Sequence, residues 1–389
     1  TVTSALKSAG DLEFVGGAYY ISKLTSRVAS TANSEFHARI ISQKFIQREL
    51  IRISSDIIKD AFEDTTDVFE LLDKAENNLF QVAEGNIRKS YEKMSNLMRE
   101  AIEGIDKARE NKDGVSGIPS GFADLDRITG GWQRSDMIVL AARPGMGKTA
   151  FVLSMARNVA VDFNIPVAVF SLEMAGVQLV QRLIASETGL SSEKLRKGTL
   201  EDHEYQQLHN RIGKLAEAPI FIDDTPALSI FELRAKCRRL KAQHGIDLVI
   251  IDYLQLMSGG GEGKGNREQE ISSISRSIKS IAKELNIPII ALSQLSRMVE
   301  TRGGDKRPIL SDLRESGAIE QDADIVSFIY RAEYYGITEH PDNIDTKGLG
   351  ELIIAKHRNG ALGTIKMKFI GHLAKFTNYD SFDVDSPFS

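Results

Sequence analysis

Asp136-Met137-Ile138-Val139-Leu140-Ala141-Ala142-Arg143-Pro144-Gly145-Met146-Gly147-Lys148-Thr149 is the stretch that decides the fold. Met137–Ala141 has the length and the Ile/Val/Leu content of a buried parallel strand. It breaks into a glycine loop ending in Gly-Lys-Thr, and Ala150–Ala160 then carries apolar residues at helical spacing. Strand, glycine loop, helix is the context in which such a loop cradles a polyphosphate. Gly145 and Gly147 let backbone N–H groups curl around the phosphates, and the helix N-terminus adds partial positive charge. Arg143, Pro144 and Met146 complete the cradle. Lys148 is placed to reach the β- and γ-phosphates, and the Thr149 hydroxyl to hold Mg²⁺. Ala142 stands where the motif's first glycine would be.

The rest of the chain gives that loop a domain to belong to. At 389 residues there is room for two or three domains with sizeable cores. No apolar run approaches the ~20 residues of a membrane helix, and Thr1-Val2-Thr3-Ser4 lacks the pattern of a signal peptide. The chain has no initiator Met, so it reads as a fragment or as lacking its start. A single cysteine, Cys237, excludes an internal disulfide framework and fits a reducing compartment. A formal charge of −5 excludes a nucleic-acid binder that is basic all over, though not one whose binding charge lines a groove or channel.

Residues 1 to about 84 are helical by pattern. Ala38–Phe62 places Ile41, Phe45, Ile46, Leu50, Ile53 and Ile57 at three- and four-residue steps, and Val68–Val82 repeats the pattern. Ile87–Ala108 puts Ile87, Tyr91, Met94, Met98, Ile102 and Ile105 on one stripe before a glycine-flanked polar segment. Such a helix packs on its own chain or docks on a neighbouring subunit; periodicity leaves both open. From Ile118 strands and helices alternate, the signature of a largely parallel α/β sheet. The expected strands are Met137–Ala141, Val167–Ser171, Ile220–Asp223, Leu248–Asp252, Ile289–Ser293, Ile325–Tyr330, Leu352–Lys356 and Ile365–Phe369.

Ligands of such sheets gather at the strands' carboxyl ends. Glu173 follows one strand, where a carboxylate can orient or deprotonate a water attacking a γ-phosphate; alone, such a residue is more often a helix cap. Asp252 ends an apolar strand, the Walker-B pattern of an acid on Mg²⁺. Gln294 follows another strand, where an amide can sense the γ-phosphate. Two loops, Ser258–Gln269 and Ser296–Gly317, carry Lys264, Arg267, Arg297, Arg302, Lys306, Arg307 and Arg314 among glycines, a composition suited to phosphate contacts. Arg234, Lys236, Arg238, Arg239 and Lys241 make a basic helix, for which a solvated face is the commoner explanation, with Cys237 a small core residue. The histidines show no metal spacing, so no structural zinc is expected. Lys356 and Arg358 leave a strand on the far side of the sheet order from the P-loop. In a ring they would point at a neighbour's nucleotide, as an arginine finger does.

Assembled, these residues resemble the replicative DNA helicases of the DnaB family. The resemblance rests on Ala142–Thr149, Phe170–Met174, Ile250–Leu256, Ser293–Arg297, Asp312–Asp324 and Ala355–Gly360, with Gly16–Tyr20 and Ala38–Leu50 similar to the later part of the family's helical N-terminal domain. It implies a RecA-like P-loop ATPase domain of the α/β class at residues 118–389. Before it come an all-α N-terminal domain, incomplete at its start, over 1–84, and a linker helix and hinge over 85–117 that docks on the next subunit. It further implies a homohexameric ring around single-stranded DNA, hydrolysing ATP with Mg²⁺ between subunits and moving 5′→3′. Arg314, Glu315 and Gly317 match the DNA-contacting loop, and Lys356 and Arg358 the trans-acting cations. Primase and a helicase loader are the implied partners, without a membrane, in the cytoplasm of a bacterial or phage-infected cell at the nucleoid. Rival readings are another RecA-like ATPase, which should lack Arg314–Asp324 and the helical N-terminal domain, and a nucleotide-switched loader or scaffold, against which Glu173 and Arg358 count.

Overall fold

The computed structural model describes residues 2–26, 34–62, 94–110, 114–258, 267–338 and 345–379, with positions 71, 74–75, 78–79 and 82. The chain divides into two units, Thr1–Tyr91 and Glu92–Ser389. In the first, helices span Val2–Ala9, Gly17–Ser26 and Ser34–Ala61. The last contains the expected amphipathic stripe, but only part of it is covered: Ile53 is buried while Ile41 and Phe45 stand exposed. Most of Val68–Val82, and Ile87 and Tyr91, lie outside the described residues. The helix Met94–Glu110 opens the second unit with Met94, Met98, Ile102 and Ile105 exposed. Among the described residues that apolar stripe is uncovered.

The sheet of the second unit holds nine strands among the described residues, in the order β3-β2-β4-β5-β1-β6-β7-β8-β9. They are β1 Met137–Ala142, β2 Val167–Ser171, β3 Ile220–Asp223, β4 Leu248–Asp252, β5 Ile289–Gln294, β6 Ile325–Tyr330, β7 Leu349–His357, β8 Gly363–Ile370 and β9 Lys375–Asn378. β1 to β6 are mutually parallel, and β7 to β9 continue the sheet antiparallel. Alternate residues of the parallel strands feed two cores. Ile138, Leu140, Val169, Ile250 and Ile290 pack with Phe151 and Met155 of helix Lys148–Arg157. Met137, Val139, Phe170, Ile251 and Ile289 pack with Leu233 and Cys237 of helix Ile230–His244 and with Ile274 and Ile278 of helix Arg267–Leu285. A strand buried on both faces must be apolar throughout, which is why β1 reads as a continuous run.

β9 is not among the expected strands, and β7 begins three residues earlier than expected. Its register against β6 slips between Val326 and Ser327, which pair with Lys356 and Ile354, leaving Ala355 as the extra residue. A bulge there re-aims the strand immediately before Lys356.

Asp136, buried just before β1, has its carboxyl pushed up to about 6, by burial first and then by the Asp324 charge, against the pull of Lys279 and Arg358. A folded pKa above the unfolded one contributes stability below the unfolded value, near 4. That contribution is lost as pH rises through about 6. Asp136→Asn should therefore raise stability by about 1–2 kcal/mol above pH 7 and leave it almost unchanged near pH 4. Equal shifts in the melting temperature at both pH values would show that Asp136 is not the titrating group.

Candidate active site

β1 ends at Ala142, and the chain turns through Gly145 (φ +80°) and Gly147 (φ +98°) into the helix starting at Lys148. Both positions need glycine twice over. The backbone is left-handed, and a Cβ at Gly145 would lie 2.9 Å from the Tyr334 ring, one at Gly147 3.0 Å from the Phe376 ring. The loop, with Glu173, Asp252 and Gln294, lines a cavity of about 460 Å³. The ladder explains why these distant residues meet. Ser171 is in register with Asp252, which puts Glu173 just beyond the same edge, and Gln294 is in register with Ala142.

Within the cavity Thr149 Oγ1 donates to Asp252 Oδ2 at 2.7 Å. Asp252 is buried, and burial raises its pKa against the lowering effect of that hydrogen bond. Lys148 Nζ donates to Ala142 O at 3.1 Å. Burial lowers its pKa while Asp252 and Glu173 pull it up. A desolvated ammonium facing two carboxylates beside a glycine cradle suits a Mg²⁺-polyphosphate. Thr149 and Asp252 would hold Mg²⁺, which when bound neutralises charge on the β- and γ-phosphate oxygens. Glu173 is exposed at the cavity wall, open to a water. Glu173→Gln should keep nucleotide affinity and lower turnover by about 10²–10⁴-fold, since an amide can hold the water but not take its proton. Turnover surviving in that variant would put the base elsewhere.

Two of the expected cradle side chains go elsewhere. Arg143 is buried, with Nε donating to Glu300 Oε1 at 2.8 Å and Nη1 to Leu295 O at 2.7 Å, because its side chain leaves the loop away from the cavity. Met146 is buried in the core packed by Phe151. Pro144, Gly145, Gly147, Lys148 and Thr149 do line the cavity. So do Arg182, Tyr253 and Phe369, which the sequence reading missed. Arg182 is close enough to Asp252 for its charge to bear on that carboxylate. Only its place in helix Gly176–Thr188, packed beside helix Lys148–Arg157, brings it there.

Three cations of the basic helix are paired within the chain. Lys236 pairs with Asp223 at 2.7 Å, Lys241 with Asp247 at 2.9 Å, and Arg238 with Glu284 at 2.5 Å. Cys237 is fully buried, its thiol pushed up to about 12 mainly by burial, as a core residue rather than a nucleophile. The long loop differs from expectation too. Arg302 pairs with the buried Asp312, and Arg307 grips the buried Glu351 through both oxygens, at 3.0 and 2.9 Å. These two cations shape the loop and are not offered to a ligand. The side chains of Arg314, Glu315 and Ser316, with Gly317, where a 3₁₀ turn Leu310–Ser316 meets helix Gly317–Asp322, lie outside the described residues, as does Lys264.

Lys356 and Arg358 do not line the cavity. β7 runs against β6, with His357 opposite Ile325, so both cations stand at the amino edge of the parallel strands. For strands of five or six residues that is ~17–20 Å from the carboxyl edge where the P-loop lies.

Residues 117–378 match the family model of the DnaB-like helicase C terminal domain. The replicative DNA helicase DnaB of Geobacillus stearothermophilus is 45% identical over 98% of this chain and 82% of its own length. The replicative DNA helicase DnaC of Bacillus subtilis is likewise 45% identical, over the same shares. A solved DnaB-like replicative helicase, described with its interactions with primase, superposes with a TM-score of 0.76 at 36% identity, covering 97% of this chain and 87% of that one. A second solved structure, an isolated ATPase domain, gives 0.69 at 38% identity, covering 75% of this chain and all of the other. No described helix is long and apolar enough to cross a membrane. With the phosphate cradle, its paired Thr149 and Asp252, and the RecA-like sheet all in place, the chain belongs to the DnaB family of ATP-dependent replicative DNA helicases.

Proposed function

We propose that this chain works as a homohexameric ring that encircles single-stranded DNA, moves 5′→3′, and completes each ATP site between two subunits. Lys148, Thr149 and Asp252 bind Mg²⁺-ATP, Glu173 activates the water and Gln294 senses the γ-phosphate. Arg358 acts on the neighbour's nucleotide, and Lys356, expected to act with it, instead braces that edge by donating to three carbonyls of its own subunit. The observation that carries this reading is the direction of β7, which sets both cations at the sheet edge away from their own P-loop. The exposed stripe of Met94–Glu110 supports a linker helix, within residues 85–117, that docks on the next subunit, between a helical domain over 1–84 and the motor over 118–389. The relative solved with attention to primase supports primase as a partner; a loader follows from the need to open a ring onto DNA. The place of work is the nucleoid, in the cytoplasm of a bacterial or phage-infected cell.

Unwinding of forked DNA with the tails varied tests the reading. ATP-dependent unwinding should require the 5′ tail, and equal unwinding of a fork bearing only a 3′ tail would overturn it. Arg314, Glu315 and Gly317 contact the DNA backbone on this reading. Arg314→Ala should weaken single-strand binding alike for all sequences and make its salt slope shallower by about one unit or less. A changed base preference instead would show that the loop reads bases.

A further inference from the structure

Arg358 is held from within its own subunit by the residues just before β6. Its main-chain N–H donates to Asp324 O at 2.9 Å, extending the β6–β7 ladder by one step. Nη1 donates to Asp324 Oδ1 at 3.2 Å and Nη2 to Gln321 O at 2.5 Å. Asp324 is itself fixed. Its Oδ2 accepts the Met137 N–H at 2.8 Å and the ammonium of Lys279, which also donates to Ser135 O at 2.8 Å. The Asp324 side chain is 7% exposed and that of Arg358 45%. A buried carboxylate, anchored to the first residue of β1 and to helix Arg267–Leu285, thus grips one corner of a half-exposed guanidinium. Lys356 is seated beside it, with Nζ donating to the carbonyls of Glu320, Gln321 and Ala323 at the end of helix Gly317–Asp322.

A guanidinium has five N–H donors in a rigid fork. Asp324 and Gln321 take one donor from each terminal nitrogen, so the remaining donors keep a set direction. An arginine on a strand end would otherwise sample many rotamers, and ordering it during hydrolysis would raise the barrier. We propose that Asp324 is the positioning residue for the trans-acting arginine. Its carboxylate sets the direction of the Arg358 guanidinium at the subunit face and affects the neighbour's nucleotide only through it. The proposal rests on Arg358 acting in trans, as argued above.

Mixed assemblies of the full chain test it. Asp324→Asn removes the charge and should lower kcat of the DNA-stimulated ATPase on the order of 10²-fold, the loss expected of a group misplaced by about 1 Å. KM and the affinity for a fluorescent ATP analogue should change by less than about twofold, since the variant's own cradle is intact. Mixed with Lys148→Ala subunits, which keep a well-held finger, Asp324→Asn subunits should regain hydrolysis. Mixed with Arg358→Ala subunits they should not, because both then lack a working finger. The Arg358→Ala and Lys148→Ala mixture is the control. If it fails to regain activity, the trans reading falls and the proposal with it. If the control recovers but Asp324→Asn recovers with neither partner, Asp324 is merely structural. If it recovers with both, it acts other than through Arg358. A rise in activity of Asp324→Asn alone would mean that the carboxylate restrains the finger. Each of these outcomes overturns the proposal. Should Asp324→Asn fail to assemble, Asp324→Glu, with the charge displaced by one methylene, is scored in the same pairings and should show the same pattern with a smaller loss.

Discussion

Replacing Lys148 with alanine is expected to abolish ATP hydrolysis, with phosphate release in the presence of single-stranded DNA falling on the order of 10³-fold. The ammonium is the one cation of the glycine loop that lines the cavity, since Arg143 turns away to Glu300. Its partial desolvation strengthens its attraction for a polyphosphate. The fold should hardly notice the loss. In the protein alone the ammonium gives up one hydrogen bond, to Ala142 O, worth about 1 kcal/mol. A variant that melts near the parent's temperature yet releases almost no phosphate would place the defect in chemistry. Near-normal release would mean that the loop does not bind the reacting phosphates.

Arg358→Ala should cost about 10³–10⁵ in turnover, the range found where an arginine finger stabilises charge on a transferred phosphoryl group. The same substitution should leave nucleotide affinity at the subunit's own P-loop nearly unchanged, because Arg358 does not line that cavity. Equilibrium binding of an ATP analogue beside steady-state hydrolysis separates the two effects. A loss of affinity as large as the loss of turnover would make Arg358 a residue needed for the fold or for assembly. Some structural effect is expected, because the side chain pairs with the buried Asp324, which keeps Lys279, and closes the end of helix Gly317–Asp322 through Gln321 O. That contact is exposed and replaceable by water, so its part should stay within about 1 kcal/mol.

The central strands were legible because parallel strands covered on both faces are written almost without polar residues. Val167–Ser171, Leu248–Asp252 and Ile325–Tyr330 begin and end where the sequence places them, as does the half-buried edge strand Ile220–Asp223. β9 was not legible: four residues with Phe376 as its one buried apolar side chain make too short an alternation. The start of β7 hid for another reason. Gly350 and Glu351 look like a turn, yet Glu351 is buried against Arg307, a pairing across more than forty residues that local pattern cannot carry. The same limit applies to the site. Glu173, Asp252 and Gln294 announce themselves by following strands, whereas Arg182 sits within a helix and reads like any surface charge. Arg143 misled in the opposite direction, since its neighbours in sequence line the cavity while its own carboxylate partner, Glu300, comes from the distant short helix Met298–Thr301.

The reversal of β7 has a consequence for how copies of the motor can associate. One edge of the sheet carries the phosphate cradle and the other carries Arg358, so on the proposed reading each copy owns two unlike halves of a site, facing apart. With Arg358 acting in trans, copies must join head to tail, a heterologous contact that leaves an unfilled cradle at one end of any open row and an unused arginine at the other. Each added copy completes one site, and closing the row completes the last without adding a copy. Hydrolysis per subunit would then rise with the length of the row and step up again on closure, making activity per subunit a readout of whether the assembly is open or shut.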